Sequence, residues 1–117
     1  MNRKKELIAI AVKSESLKSE IGNCFGKAEF FFIADMEKKK YEFRKNPGAD
    51  AKDNSGKKAA QFLIKLGVGS IISYNFGAVV KEIFDRNNVQ IVMLSDKYKY
   101  LNEIKWTSKF KSEQLIK

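Results

Sequence analysis

The chain has 117 residues, of which 44% are hydrophobic and nine are Phe, enough to form one compact domain with a single core. Lys and Arg number 23 against 14 Asp and Glu, and the resulting net charge of +9 favours polyanions such as nucleic acid, an acidic partner or an anionic cofactor. The absence of His and the presence of one Cys exclude imidazole metal ligands, Ser-His and Cys-His catalytic pairs and an internal disulfide.

The first half of the chain reads as three strands. Residues 7–12 (LIAIAV) form a short apolar run between charged residues, which is typical of a central strand covered on both faces. Residues 30–33 repeat the pattern, and residues 41–44 follow after a connection over residues 36–40 that is short enough for a hairpin. The second and third strands are therefore predicted to be antiparallel neighbours.

The second half alternates helices with strands. Asn46-Pro47-Gly48 ends the third strand, and the small polar residues 49–54 predict a loop. Helical spacing then begins at Ser55, and Gly67 stands where a left-handed C-cap is needed. Residues 70–74 and 90–94 predict strands on either side of an amphipathic helix over residues 77–86.

After the fifth strand, Ser95 or Asp96 can cap a last helix that carries Tyr98, Leu101 and Ile104, and a basic, weakly patterned tail follows. Crossover helices between the last strands require parallel pairing. The sequence thus predicts one domain over residues 1–117, with a core at about residues 7–94 and a mixed five-stranded sheet flanked by helices. No run reaches the roughly 20 apolar residues of a membrane span, and no leader segment is recognised, so we expect a soluble cytoplasmic protein.

Five residues could form a ligand site outside the carboxyl ends of the parallel strands, where open sheets bind ligands: Lys13, Cys24, Lys27, Asn75 and Gly77. Gly77 would begin a helix whose free N–H groups attract anions, although Asn75 could equally serve only as a cap for that helix. The thiolate of Cys24 is the soft ligand that iron–sulfur chemistry prefers, although a lone cysteine can also be a small buried hydrophobe.

Several short motifs, taken together and in order, resemble the dinitrogenase iron-molybdenum cofactor biosynthesis family. They are IAIAV at residues 8–12, IGNCFGKAEFF at residues 21–31, Asn46-Pro47, GKKAAQFL at residues 56–63, Gly67-Val68 and Asn75-Phe76-Gly77. That family includes NifX-like carriers, the NafY-type core domain and the C-terminal domain of NifB. The resemblance implies a ribonuclease-H-like α/β fold with the second strand antiparallel.

The resemblance also implies a function in nitrogen fixation. It suggests a non-enzymatic carrier of the iron-molybdenum cofactor or a related iron–sulfur cluster, with cluster-synthesis or acceptor proteins as partners. Cys24 would be the metal ligand, and Lys27, Lys13, Asn75 and Gly77 would surround the anionic cluster. Nitrogenase-associated members often have His directly before Phe-Gly, where this chain has Cys24. Relatives also often read Gly-Pro-Asn-Ala where this chain has Gly77-Ala78-Val79-Val80.

Two other functions stay open. A basic nucleic-acid-binding module without nuclease activity would use Tyr98, Tyr100 and Trp106, which lie among C-terminal lysines. A small redox enzyme would use Cys24 as a nucleophile, although the chain offers no histidine to activate it. For the carrier, residues 48–55 are expected to order only when an anion enters beside Cys24, with Lys52, Lys57 and Lys58 closing over it.

Overall fold

Five strands form one mixed sheet in the computed structural model, which describes residues 4–116. They are β1 (Lys4–Val12), β2 (Phe30–Asp35), β3 (Lys40–Lys45), β4 (Val68–Ser73) and β5 (Gln90–Met93). Their order across the sheet is β3-β2-β1-β4-β5. Because β2 runs antiparallel to β1 and β3 while β4 runs parallel to β1 and β5, the predicted mixed sheet with an antiparallel second strand is confirmed.

A tight hairpin joins β2 to β3, as the sequence predicts. The Asp35 carboxylate accepts hydrogen bonds from the backbone N–H groups of Glu37 at 3.1 Å and Lys38 at 3.0 Å. Lys39 then adopts a left-handed conformation with φ 55°, which reverses the chain before β3.

Two α-helices cover one face of the sheet. They are α1 (Ser55–Leu66) and α2 (Ala78–Arg86), close to the predicted bounds. Gly67 has φ 86°, and its N–H bonds to the carbonyl oxygens of α1, so the predicted left-handed C-cap is confirmed. Four aromatic rings fill the space between helices and sheet, with centroids 5.4 to 6.3 Å apart: Phe25, Phe31, Phe76 and Phe84.

The predicted last α-helix is wrong. The chain instead forms three short 3₁₀ segments, Leu101–Glu103, Lys105–Lys109 and Ser112–Gln114. The reason lies in the spacing, because the buried residues Leu101, Ile104, Thr107 and Phe110 recur every three positions, which is the period of a 3₁₀ turn.

The 3₁₀ segments and the tail cover the second face and one edge of the sheet. Phe110 and Trp106 pack against Phe32, with ring centroids 6.0 and 6.3 Å from it. The N–H of Ile116 donates to the carbonyl oxygen of Tyr41 in β3 at 2.7 Å. The region that the sequence leaves weakly patterned is therefore part of the core. No helix within residues 4–116 combines the length and the apolar character that crossing a bilayer requires.

Candidate functional site

A cavity of about 490 Å³ opens where three segments of the chain meet. Residues 24–27 come from the loop after β1, residues 54–57 form the start of α1, and residues 75–80 lead from β4 into α2. The parallel strands β1 and β4 both end beside these loops, which is the edge at which open α/β sheets bind ligands. The cavity brings together four of the five predicted site residues: Cys24, Lys27, Asn75 and Gly77.

Cys24 is exposed at this cavity. The N–H of Ala28 donates to the Cys24 carbonyl oxygen at 3.1 Å and closes a turn around residues 24–28. The next residue, Phe25, is buried in the aromatic core and anchors the turn. The interpretation of Cys24 as a small buried hydrophobe is therefore wrong, because the turn directs Phe25 into the core and leaves the thiol accessible.

Asn75 joins two loops and does not cap α2. Its side-chain amide donates to the carbonyl oxygen of Asn23 at 3.1 Å, which ties the end of β4 to the loop that carries Cys24. The N-cap position of α2 is Gly77, and no side chain caps it. The alternative in which Asn75 serves only as a helix cap is thus wrong.

Two helix N-termini open onto the cavity. Asn54 and Gly77 are the N-cap residues of α1 and α2, and neither helix has a side-chain cap or an acidic residue in its first turn. The first N–H groups of a helix carry a partial positive charge and lack partners within the helix. Both helices therefore present donors to the same cavity, an arrangement that favours an anion.

The lysines divide between the cavity and the rest of the surface. Lys57 lines the cavity, and Lys27 lines it while its ammonium group donates to the Ala51 carbonyl oxygen at 2.7 Å. Lys13 is not among the residues that line the cavity, and its ammonium group lies 3.0 Å from the Glu20 carboxylate. The hydrogen bond and the charge of Lys13 lower the pKa of Glu20 below its ordinary value. Lys13 is thus the predicted site residue that the structure leaves outside the cavity.

Asn46 positions the Cys24 turn, a role that the sequence analysis missed. Its buried side-chain amide donates to the carbonyl oxygens of Gly26 at 3.1 Å and Ala28 at 2.8 Å, and its carbonyl oxygen accepts from the N–H of Gly48 at 2.8 Å. The only signal for it is the Asn-Pro-Gly sequence, which predicts a turn but no partner.

Glycines allow the Cys24 turn to approach α1. A Cβ atom on Gly26 would lie 2.7 Å from the backbone nitrogen of Gly56, and one on Gly48 would lie 2.3 Å from the carbonyl oxygen of Ser55. The start of α1 therefore lies directly beside the turn, which makes residues 54–57 part of the site. The sequence predicts an anion-attracting helix start only for α2, because the approach of α1 to the turn is not visible in it.

Within residues 4–116, no three His, Cys, Asp or Glu side chains come together in a way that could hold a metal ion. Of the described residues that line the cavity, Cys24 alone offers a soft ligand. A metal cluster bound there would therefore keep ligands of its own or share a second subunit.

The aromatic residues proposed for nucleic-acid binding are partly committed to the core. Trp106 packs against Phe32 and Phe110, and Tyr98 is partly buried against the same cluster. Tyr100 is 39% exposed, with the Lys99 ammonium group 5.8 Å from its ring centroid. A surface for stacking successive bases needs several accessible rings, and two of the three proposed rings, Tyr98 and Trp106, are half-buried against the core.

Two solved structures show the same fold. The apo form of the orange protein from Desulfovibrio gigas matches with a TM-score of 0.75 and 19% sequence identity, covering 85% of this chain and 83% of that chain. The NMR structure of a Thermotoga protein, provisionally described as a NifB protein of the DUF35 family, matches with a TM-score of 0.70 and 28% identity, covering 84% of this chain and 82% of that chain. No curated protein shows a significant match.

The family assignment rests on nearly the whole chain. The family model described as "Dinitrogenase iron-molybdenum cofactor" matches residues 6–104, a range that includes the Cys24 turn, both helices and all of β2 to β5. This match supports an accessory role related to that cofactor. The chain belongs to the dinitrogenase iron-molybdenum cofactor family.

Proposed function

We propose that this protein is a non-enzymatic binding or carrier protein for an anionic iron–sulfur-type cluster, either the iron-molybdenum cofactor or a related one. The cluster would bind in the cavity at Cys24. The observation that carries the proposal is the exposed thiol in a cavity onto which two uncapped helix N-termini open. The family assignment supports the kind of cargo.

The surroundings of the thiol suit a large anion. The N–H groups at the starts of α1 and α2 would donate to sulfide or other acceptor atoms at the cluster surface, and Lys27 and Lys57 would add positive charge at the rim. Among the residues that the structure describes, no carboxylate lines the cavity to repel such a ligand. The net charge of +9 would further increase the rate of encounter with an anion.

Binding without catalysis is supported by the same lining. The cavity offers a thiol, two lysines and amide groups, but no imidazole or carboxylate that could act as a general acid or base. A single protein thiolate leaves most positions on the cluster to other ligands, and this suits a cargo that must later be released.

The topology supports the ribonuclease-H-like assignment. The resemblance implies a mixed five-stranded sheet with the second strand antiparallel, and the observed sheet, in the order β3-β2-β1-β4-β5, has both features. We infer no nuclease activity from this, because function depends on the site and the cavity holds no paired carboxylates. The proposed setting is the cytoplasm, with cluster-synthesis or acceptor proteins as partners in nitrogen fixation or a related pathway.

Anaerobic gel filtration tests whether the protein binds a cluster at all. The protein is incubated with a synthetic thiolate-ligated iron–sulfur cluster, and iron and sulfide are measured in the protein peak. The proposal predicts that both co-elute with the protein, and that an unrelated protein of similar net charge carries much less. An equal amount of iron on the two proteins, or none on either, would contradict it.

A further inference from the structure

A second concavity, of about 830 Å³, lies between α1 and α2. It shares one lining residue with the Cys24 cavity and is otherwise separate from it. We call it the α1–α2 groove. Its walls come from the outer sides of the two helices, which pack against each other, and Lys57 lines both the groove and the cavity. Whatever occupies the groove therefore lies next to the entrance of the proposed cluster site.

The rim of the groove is positively charged. Lys57, Lys58 and Lys65 come from α1 and Arg86 comes from α2, and all four are exposed. No Asp or Glu is among the residues that line the groove, and α1 contains no acidic residue over its whole length. Arg86 lies 3.8 Å from Glu82, but both side chains are highly exposed and such a pair is weak. The groove therefore presents four cations with little local compensation.

The floor of the groove is apolar. Phe62, Ile64 and Ile83 line it and are half-buried. The Phe62 ring is held from two sides, because it stacks on Phe31 with a centroid distance of 6.5 Å and the Arg44 guanidinium lies 5.6 Å from its centroid. Phe62 is thus fixed in place, whereas the four cations around it are exposed and accessible to a partner.

We propose that the α1–α2 groove docks an acidic, amphipathic segment of a partner protein. Apolar side chains of the segment would cover the floor, and its carboxylates would meet the cations of the rim. A single-stranded nucleic acid would use the cations and stack its bases on an aromatic ring, but Phe31 and Arg44 already contact the Phe62 ring, which is why a peptide suits the groove better. That the partner delivers or receives the cluster rests on the proposed function, whereas the docking itself does not.

Peptide titration tests the docking without any cluster. The probe is a synthetic peptide with Glu and Leu at helical spacing, and its binding to the ¹⁵N-labelled protein is followed by the amide shifts of α1 and α2. The variant Lys58→Glu/Lys65→Glu/Arg86→Glu should weaken binding by about tenfold or more. The neutral variant Lys58→Gln/Lys65→Gln/Arg86→Gln should weaken peptide binding less. This variant still tests the proposal if charge reversal at the helix ends disturbs folding.

The matched control reverses three exposed lysines outside the groove, in Lys18→Glu/Lys38→Glu/Lys111→Glu, with the same change in net charge. It should bind the peptide nearly as well as the unaltered protein. An equal loss in both reversal variants would mean that only the overall charge attracts the peptide, and the proposal would be wrong. The same holds if a peptide with Ser in place of Leu binds equally well, or if oligothymidylate shifts the same amides at lower concentration.

The outcome separates docking from cluster binding. Lys57 is left unchanged in every variant because it lines both sites. If the groove variants lose the peptide but still retain iron, both proposals stand. If the peptide binds the groove but the protein retains no iron, docking stands and the proposed function fails.

Discussion

The Lys27 ammonium group donates a hydrogen bond to the carbonyl oxygen of Ala51 at 2.7 Å. This contact joins the turn that carries Cys24 to the loop that leads into α1. The same Ala51 oxygen lies 3.4 Å from the Ser55 hydroxyl at the first residue of α1. One side of the cavity is therefore formed by a loop whose position depends on a charged side chain within the site.

Residues 49–55 should become more protected from hydrogen exchange when the cavity is filled. The loop has no large apolar anchor, so its order depends on short turns and on the Lys27 contact. Lys27→Met keeps the apolar stem but removes the donor, and we expect faster exchange of these amides in the empty protein. Strong protection of the loop in the empty protein, unchanged by Lys27→Met or by bound cluster, would contradict a closing role.

A negative charge at the start of α2 should stabilise the fold and block the cluster. Val79 is 62% exposed, lines the cavity and lies in the first turn of α2. Val79→Asp should raise the free energy of unfolding by about 0.5 kcal/mol, because a carboxylate interacts favourably with a helix N-terminus. Val79→Asp should also reduce the iron that the protein retains, whereas the neutral control Val79→Asn should retain more iron than Val79→Asp. Equal retention by the two variants would place the anion elsewhere.

Asn46→Ala should destabilise the protein by about 2 to 4 kcal/mol, since it leaves one buried and one partly buried carbonyl oxygen and a buried N–H group without their partner. Urea unfolding at neutral pH measures the change. Asn102→Ala, at an exposed position, should stay within about 0.5 kcal/mol of the unaltered protein. If Asn46→Ala is equally mild, the side chain does not hold the Cys24 turn.

The sheet and the two α-helices could be predicted because each has a local signal of its own. The apolar run of residues 7–12, the hairpin after Asp35 and the glycine at position 67 each specify an element without knowledge of the others. The last segment could not be predicted in this way. Its three-residue period is too close to the helical period for the sequence alone to separate the two, and in the structure that period places Phe110 against Phe32 and Tyr41 on the sheet.

The site was predictable in part, for a related reason. Strand order brings Cys24 and Asn75 to one edge, and this follows from topology alone. The contribution of α1 to the site does not follow from topology, because it requires the close approach of Gly26 to Gly56, which only the packed structure reveals. The position of the Lys13 side chain could not be predicted either. Its ammonium group pairs with Glu20, seven residues away, and this contact depends on an irregular loop that the sequence does not specify.

The acid sensitivity of the 3₁₀ region should depend on Glu103. Its carboxylate accepts from the N–H groups of Tyr100 at 2.8 Å and Lys99 at 2.6 Å, and these bonds lower its pKa below the ordinary value of 4.5. A pKa that is lower in the folded than in the unfolded protein gives a stabilisation that is complete above the unfolded value and is lost as the pH falls through the folded one.

Glu103→Gln should therefore reduce stability at about pH 7 and should reduce it less at about pH 3, because the stabilisation that comes with the lowered pKa is lost progressively once the pH falls below the unfolded value. Urea unfolding at both pH values measures this difference. Glu15→Gln, at an exposed residue in the loop after β1, controls for the loss of one charge. A Glu103→Gln effect that is the same at both pH values would show that the carboxylate charge is not involved.

The proposed function depends most on the thiol of Cys24, and iron retention by Cys24 variants tests it directly. Because the side chain is exposed, Cys24→Ala and Cys24→Ser should change the free energy of unfolding by no more than about 0.5 kcal/mol. The three proteins are incubated anaerobically with the same synthetic cluster and desalted, and bound iron is then measured. We expect the unaltered protein to retain iron, and both variants, which lack the soft ligand, to lose most of it. Equal iron retention by all three proteins would contradict the assignment of Cys24 as the cluster ligand.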